Sequence, residues 1–147
     1  TIIEQRMIKE KGCKVELHHA AAYHKKAELE FDRIGSGSGR IIEDGCAKTE
    51  SVLVKAETID SILKGRKVDF IKMDIEGAEY KALLGAVDTI QIYKPTLMIC
   101  VYHRQDDFIS IPMLIKSMNC NYKLYLRHYR SLSVQETVLY AVNSMQI

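Results

Sequence analysis

Two carboxylates lie where the sequence changes from a strand pattern to a helix pattern. Residues 68–73 are mostly apolar and β-favouring, which predicts a strand buried on both faces. Asp74-Ile-Glu-Gly77 follows, and its glycine allows a tight turn or a close approach to a ligand. Open parallel sheets bind ligands at the carboxyl ends of their strands. Asp74 and Glu76 are therefore candidate catalytic or binding residues; the alternative is that they only cap the next helix.

The helix pattern after this turn places Glu79 away from the predicted core. Small and apolar residues recur on one helical face, namely Ala78, Ala82, Leu83, Ala86 and Ile90. Glu79 lies off that face, together with Lys81 and Asp88. We expect the Glu79 side chain to face solvent or to pair with a cation, and it is a candidate substrate-binding residue.

A histidine ends the next apolar strand. Residues 96–102 (TLMICVY) predict a second buried strand, and His103 closes it. If the two strands are parallel, His103 emerges at the same sheet edge as Asp74, where an imidazole is a base near neutral pH. A purely structural histidine is the alternative. Arg127 and His128 end a later strand, where they either bind an anionic acceptor or cover the sheet edge.

The carboxylates fit more than one chemistry. Asp74 can orient a hydroxyl group that is being alkylated, or accept its proton. Asp74 and Glu76 can instead hold a divalent cation, for which carboxylate oxygens favour magnesium or calcium. A carboxylate–metal hydrolase and a non-catalytic fragment or partner module are therefore two alternatives for this chain.

Composition excludes several classes of protein. The 147 residues are 47% hydrophobic and carry a formal net charge of +2, which suits one domain with a hydrophobic core. No block of like charges points to nucleic acid or to a membrane surface. No membrane span or signal peptide is visible, so we expect a cytoplasmic protein. The cysteines are widely spaced, which indicates buried free thiols rather than a zinc site: Cys13, Cys46, Cys100 and Cys120.

Strand and helix patterns alternate, which predicts an α/β fold with a mainly parallel sheet. We expect strands 68–73 and 96–102 to be parallel neighbours in the middle of that sheet, and the GSGSG segment to be a surface loop. Helices are predicted at residues 1–11, 57–64, 78–90 and 107–118, the last with Asp106 or Asp107 as N-cap. Further strands are predicted at residues 14–18, 28–33 and 51–56, with an antiparallel edge pair at 122–127 and 137–142.

Several segments, taken in order, carry a family resemblance. They are Phe70-Ile-Lys-Met-Asp-Ile-Glu-Gly-Ala-Glu79, Lys94-Pro95, Tyr102-His103, Leu126-Arg-His-Tyr129 and Glu136-Thr-Val-Leu-Tyr-Ala-Val142. Together they resemble the FkbM family of S-adenosylmethionine-dependent methyltransferases, over nearly all of the chain. The resemblance implies a class I, Rossmann-like methyltransferase fold whose last strand is antiparallel. It also implies O-methylation of hydroxyl or carboxyl groups on small molecules or glycans.

The resemblance implies roles for individual residues. S-adenosylmethionine is the expected cofactor, and His19, Ala20 and Ala21 match the family segment near its adenine ring. The cofactor candidates also include Asp74 and Glu76. The catalytic candidates are Asp74 and His103, and the substrate-binding candidates are Glu79, Arg127 and His128. No residue is assigned as a metal ligand, and a divalent cation held by Asp74 and Glu76 remains an alternative.

Two family features are not found in this chain. One is a strand with a glycine-rich loop that holds the methionine part of the cofactor, and the other is a strand whose terminal acidic residue binds the ribose. Residues 35–39 come too late to be that loop. We therefore expect residues 1–147 to be one partial methyltransferase domain, its C-terminal two-thirds, with weak cofactor binding. Missing N-terminal strands leave an unpaired sheet edge, which predicts self-association.

Overall fold

The computed structural model describes residues 14–32, 40–41, 51–118, 120–129 and 136–143. The predicted helix at 1–11 and the GSGSG loop lie outside this part. The prediction of a strand at 14–18 is wrong, because these residues have no regular secondary structure. The elements, in chain order, are β1 (Ala21–Ala22), β2 (Ala27–Asp32), β3 (Arg40–Ile41), β4 (Ser51–Glu57), α1 (Ile59–Leu63), β5 (Phe70–Met73), α2 (Glu79–Leu84), α3 (Val87–Tyr93), β6 (Thr96–Cys100), α4 (Asp107–Ser117), β7 (Tyr122–His128) and β8 (Thr137–Asn143).

These strands form two four-stranded sheets, with orders β1-β4-β2-β3 and β5-β6-β8-β7. The α/β class is confirmed, as are the parallel pairing of β5 with β6 and the antiparallel pairing of β7 with β8. Both sheets are mixed rather than mainly parallel, since β4 and β6 each pair with one parallel and one antiparallel neighbour. Among the described strands, β5 lies at the edge of its sheet and not in the middle.

The strand order of the second sheet brings three strand ends together. Strand β8 runs antiparallel to both β6 and β7, so β7 has the same direction as β5 and β6. The carboxyl ends of β5, β6 and β7 therefore lie on one edge of the sheet, here called the carboxyl edge. In α/β sheets this is the edge that binds ligands.

One face of the second sheet carries the hydrophobic core. On β5, Ile71 and Met73 are buried whereas Phe70 and Lys72 are exposed, so the prediction of a strand buried on both faces is wrong within the described residues. The cause is that the core lies on one side only, where residues of the strands pack with residues of α2, α3 and α4. This core includes Leu83, Ile90, Leu97, Ile99, Ile111, Ile115, Leu139 and Ala141.

The long helix predicted after the Asp74 turn is divided into α2 and α3 at Gly85. All five residues of the predicted apolar face are nonetheless buried, at 9% exposure or less. Position 85 requires glycine because the carbonyl oxygen of Tyr23 lies only 2.0 Å from the position that a Cβ there would take. The Gly85 carbonyl accepts a hydrogen bond from the Asp60 N–H at 3.0 Å. This glycine thus lets the segment after β1 pack against the helices of the second sheet.

The start of α3 is capped from another helix. Its N-cap residue Ala86 has no side-chain hydrogen bond to offer. The Asp60 carboxylate of α1 instead accepts from the Asp88 N–H at 3.2 Å and from the Thr89 N–H at 2.9 Å. A carboxylate near these unpaired N–H groups also suits the positive end of the helix dipole. Helix α1 is thereby attached to α3.

Two of the four cysteines lie in the described part of the chain. Cys100 and Cys120 are buried free thiols, as predicted. Cys13 and Cys46 lie outside the described residues. No helix in the described ranges is long and apolar enough to cross a membrane.

Replacement of Gly85 by alanine should destabilise the protein, because its Cβ has no room beside the Tyr23 carbonyl. We expect a loss of about 1–3 kcal/mol in the free energy of unfolding, as for other overpacked positions. The measurement is chemical denaturation followed by circular dichroism.

Gly65→Ala is the matched control. Gly65 has a φ of +78°, and its nearest neighbour, the Tyr93 hydroxyl, would lie 4.0 Å from the new Cβ. Only backbone strain of about 1 kcal/mol is expected there. Equal losses for the two variants would mean that the Tyr23 contact is not what Gly85 accommodates.

Candidate active site at the carboxyl edge

The turn after β5 is held in an unusual backbone conformation. Glu76 has a φ of +56° and Gly77 a φ of +94°, and the Ala78 N–H donates to the Ile75 carbonyl at 3.3 Å. A Cβ on Gly77 would lie 3.3 Å from Cγ of Arg104. The glycine therefore allows the predicted tight turn, and it also lets the segment that follows β6 approach closely; the predicted approach to a ligand stays a prediction.

Glu79 is buried, and the prediction that it faces solvent is wrong. Its side chain is 0% exposed, and Oε1 accepts a hydrogen bond from the Ile75 N–H at 2.8 Å. Helical spacing places it off the apolar face, but it is the first residue of α2. There the turn and the residues after β6 cover it. The helical pattern alone does not show that the residues after β6 bury Glu79.

His103 lies between three carboxylates. Its Nδ1 is 2.9 Å from Oε1 of Glu79, and its Nε2 is 3.5 Å from Oδ1 of Asp74 and 3.8 Å from Oε2 of Glu76. Only 9% of the imidazole side chain is exposed, against 41% for Asp74 and 39% for Glu76. We call these four residues the carboxylate–histidine cluster. It combines one solvent-facing side with one buried side.

The alternative that Asp74 and Glu76 only cap the helix does not hold. The N-cap residue of α2 is Ala78, and no side-chain hydrogen bond caps this helix. Asp74 instead accepts a hydrogen bond from the Tyr102 hydroxyl at 3.3 Å. It therefore belongs to the carboxyl edge rather than to the helix end.

Two protonated groups surround the Asp74 carboxylate. Burial, and then the negative charge of Asp74, raise the pKa of the Tyr102 hydroxyl to about 12. The same causes raise the pKa of the Cys100 thiol to about 12. Both groups stay protonated at neutral pH and can donate hydrogen bonds to Asp74. The sequence analysis missed both residues, although their place at the end of the strand next to Asp74 was the available signal.

A second buried carboxyl group lies at the start of α4. Asp107 is 1% exposed, and burial raises its pKa to about 6, with a smaller contribution from the negative charges of Glu79 and Asp106. The Arg104 N–H, which donates to Oδ2 of Asp107 at 3.0 Å, opposes the rise. Asp106 is the N-cap residue, as predicted, but its side chain makes no cap hydrogen bond.

A cavity of about 380 Å³ adjoins the cluster. It is lined by Ala20, Ala21, Ala22, Phe31, Ile41, Ile75, Glu76 and Ala78. Three of the predicted cofactor residues, Ala20, Ala21 and Glu76, thus share one cavity. The other two, His19 and Asp74, are not among its described lining residues, and His19 is exposed. The wall is small and apolar, with one carboxylate.

Arg127 and His128 lie on the carboxyl edge but outside the cluster. Arg127 is level with Val138 and His128 with Thr137 on β8, and Cys100 of β6 is likewise level with Val138. Arg127 and His128 are therefore two strand spacings, roughly 10 Å, from β6. Nδ1 of His128 lies 2.8 Å from the Thr137 hydroxyl oxygen, at hydrogen-bond distance.

Comparisons with known proteins agree with this fold. Residues 10–124 match the profile of the methyltransferase FkbM domain. The structure is similar to the crystal structure of methyltransferase FkbM from Methylobacillus flagellatus KT, with a TM-score of 0.73 and 27% sequence identity. That match covers 95% of this chain and 32% of the other chain. No curated protein sequence matches.

The polar cluster of this α/β fold lies at the carboxyl ends of neighbouring parallel strands. This position is typical of ligand-binding and catalytic domains. The profile match covers more than half of the chain, so the protein belongs to the FkbM methyltransferase family. The resemblance read from the sequence is thereby confirmed.

Asp107 should make folding stability depend on pH. Its pKa in the folded protein, about 6, is above the ordinary value of 3.8. Below pH 3.8, Asp107 is protonated in both the folded and the unfolded state, so its ionisation does not change the stability. Between about pH 4 and 6, Asp107 ionises in the unfolded state first, so the stability falls as the pH rises. Asp107→Asn removes this effect and keeps an oxygen that can accept from Arg104 N–H. The variant should gain about 1–3 kcal/mol on the parent between pH 4 and 7.

Urea denaturation at several pH values, in chelator-containing buffer, measures this difference. Asp106→Asn is the control, because the Asp106 side chain is 72% exposed and its loss should change the pH dependence little. A constant gap between Asp107→Asn and the parent across this range would contradict the raised pKa.

Proposed function

We propose that this chain is part of an S-adenosylmethionine-dependent methyltransferase that acts on oxygen atoms of its acceptor. The observation that carries the proposal is that Glu76 belongs both to the cavity wall and to the carboxylate–histidine cluster. A cofactor in the cavity and an acceptor beside Asp74 would therefore be neighbours. Family membership supports the reaction class.

The cavity fits the adenosine part of this cofactor. Alanine side chains leave room for a flat ring, Ile75 offers an apolar contact, and the Glu76 carboxylate can accept hydrogen bonds from ribose hydroxyls. The volume of about 380 Å³ lies in the range of small-ligand sites. When bound, the cofactor supplies an electrophilic methyl group.

The residues of the cluster would prepare the acceptor oxygen. Asp74 is exposed enough to accept a hydrogen bond from an incoming hydroxyl, and Tyr102 holds its carboxylate in place. The proton would pass to Asp74 or to Nε2 of His103, which faces Asp74. Glu79, on the other side of the imidazole, would fix the orientation of His103.

The strand order supports assignment to the class I, Rossmann-like methyltransferases. The last strand, β8, is antiparallel and lies between β6 and β7, while β5 and β6 are parallel. An antiparallel last strand is what the family resemblance implied. The chain spans about a third of the FkbM structure that it matches, so the activity of the whole protein is part of the proposal.

We further propose a small-molecule or glycan acceptor. Arg127 and His128 lie on the carboxyl edge and are exposed, so they would bind anionic groups of an acceptor some distance from the reacting oxygen. Self-association would use the outer edge of β5, which has no strand partner among the described residues. A carboxylate–metal hydrolase would need no methyl donor, and the family match favours the transferase over it.

S-adenosylmethionine should bind weakly to the chain through the cavity. Saturation-transfer NMR with this ligand should show transfer from the protein to the adenine protons. Ala21→Leu should abolish the transfer, because the larger side chain fills the cavity that Ala21 lines.

Ala27→Leu is the matched control. Ala27 is half-buried on β2 and is not among the described residues that line the cavity, so the signal should persist. If the parent chain gives no transfer at millimolar ligand, or Ala21→Leu gives as much as the parent, the cofactor does not bind in this cavity.

Asp74→Asn should slow methyl transfer much more than it destabilises the fold. Loss of a general base costs roughly 10²–10⁴-fold in turnover. The stability should change by less than about 1 kcal/mol, because 41% of this side chain is exposed. Release of S-adenosylhomocysteine, measured on the natural protein with a panel of hydroxylated sugars and small hydroxy acids, reports the turnover. Asp106→Asn is the control, and parental turnover by Asp74→Asn would remove Asp74 from the mechanism.

A further inference from the structure

The buried side of the carboxylate–histidine cluster contains a charge without sufficient partners. Glu79 is fully buried, and its Oε2 has no hydrogen-bond partner. Nδ1 of His103 lies 2.9 Å from Oε1 of the same carboxyl group, but the pair lacks hydrogen-bond alignment and Nδ1 is also without a hydrogen-bond partner. A buried carboxylate in this state is costly unless a positive charge compensates it.

The geometry of the donor atoms suits one bound ion. One oxygen of Asp74, one oxygen of Glu79 and one ring nitrogen of His103 all lie within 4.8 Å of one another. Donors on a shared metal with bonds of about 2.1 Å are roughly 3–4 Å apart. Oε1 of Glu79 is 2.9 Å from Nδ1 of His103, and Oδ1 of Asp74 is 3.5 Å from Nε2. Each distance is close to the expected separation, but a shared ion would bind only one of the two ring nitrogens. Small side-chain movements would bring all three donors to one ion.

We propose that Asp74, Glu79 and His103 form a binding site for one divalent cation. The ion's positive charge would compensate the buried Glu79 carboxylate and reduce its repulsion with Asp107. Asp74 is 41% exposed, so the ion would keep positions open to water or to a ligand on the solvent side. Oε2 of Glu79 and Nδ1 of His103 are both buried without a hydrogen-bond partner, and this Nδ1 faces the other oxygen of the same carboxylate, so both side chains have lone pairs that an ion could use.

The donor set selects the kind of ion. Magnesium and calcium take oxygen ligands, whereas an imidazole nitrogen favours transition metals. Two carboxylates with one histidine therefore suit Mn²⁺ or Zn²⁺ better than Mg²⁺ or Ca²⁺. The site differs from the Asp74–Glu76 pair considered in the sequence, because Glu79 replaces Glu76 and His103 adds a nitrogen.

Cation binding stands apart from the proposed methyl transfer and is measured without it. A cation bound to Nε2 of His103 would occupy the lone pair that a general base needs. In that case His103 cannot act as ligand and base in the same molecule, and Asp74 would remain the residue that meets the acceptor. If the NMR experiment detects no cofactor binding, the proposed cation site is unaffected. If no Mn²⁺ binds, the proposed cofactor site is unaffected.

Mn²⁺ titration of the chelator-treated, dialysed chain tests the proposal. Electron paramagnetic resonance counts free Mn²⁺, and isothermal titration calorimetry gives the affinity. We expect one ion per chain, with much weaker binding of Mg²⁺. Asp74→Asn and Glu79→Gln should each weaken Mn²⁺ binding by more than the roughly 10- to 100-fold that loss of an outer-sphere partner costs.

Two control variants test which carboxylates bind the ion. Asp106→Asn removes an exposed negative charge next to Arg104 and should keep parental affinity. Glu76→Gln should lose less affinity than Glu79→Gln, since Glu76 is outside the group of three donors. Circular dichroism checks folding, and Asp74→Asn tests the site on an exposed residue if Glu79→Gln fails to fold. No saturable Mn²⁺ binding, parental affinity in Asp74→Asn, or a larger loss in Glu76→Gln than in Glu79→Gln would overturn the proposal.

Discussion

The contact between Glu79 and His103 is the interaction on which the arrangement of this site depends. It joins the first residue of α2 to the residue that follows β6, across 2.9 Å in a place that solvent hardly reaches. Because both side chains are buried, neither can turn to water for a hydrogen bond. Their mutual position therefore fixes the imidazole, and with it the direction of Nε2 toward Asp74 and Glu76.

The turn between Asp74 and Ala78 makes that contact possible. The positive φ angles of Glu76 and Gly77 change the direction of the chain between β5 and α2. Positive φ costs a non-glycine residue such as Glu76 of order 1–3 kcal/mol, and such strain concentrates at functional sites. The hydrogen bond from Ile75 N–H to Glu79 and the packing of Gly77 on Arg104 offset that cost.

Local patterns in the sequence predicted the parts of this structure that depend on local causes. The apolar period of residues 78–90 predicted five residues that are buried, although not Glu79 or Thr89, and the strand ends correctly placed Asp74 and His103 on one edge. The burial of Glu79 could not be predicted, because its cover comes from a segment more than twenty residues later. The need for glycine at position 85 likewise comes from the Tyr23 carbonyl, a contact between distant parts of the chain. The mixed character of the sheets depended on pairing partners, which periodicity does not specify.

The cavity and the cluster adjoin only because the two sheets are held together at a few points. The Tyr23 N–H donates to the Glu57 carbonyl at 2.9 Å, and the Tyr23 carbonyl packs on Gly85, so the residues beside β1 contact both the end of β4 and the end of α2. Asp60, which caps α3, holds α1 in the same place. Ala20 to Ala22 thereby become one wall of a cavity whose opposite wall is Ile75 to Ala78. The cavity and Asp74 share the four-residue turn, so the proposed cofactor binding and the proposed chemistry at Asp74 would be coupled through it.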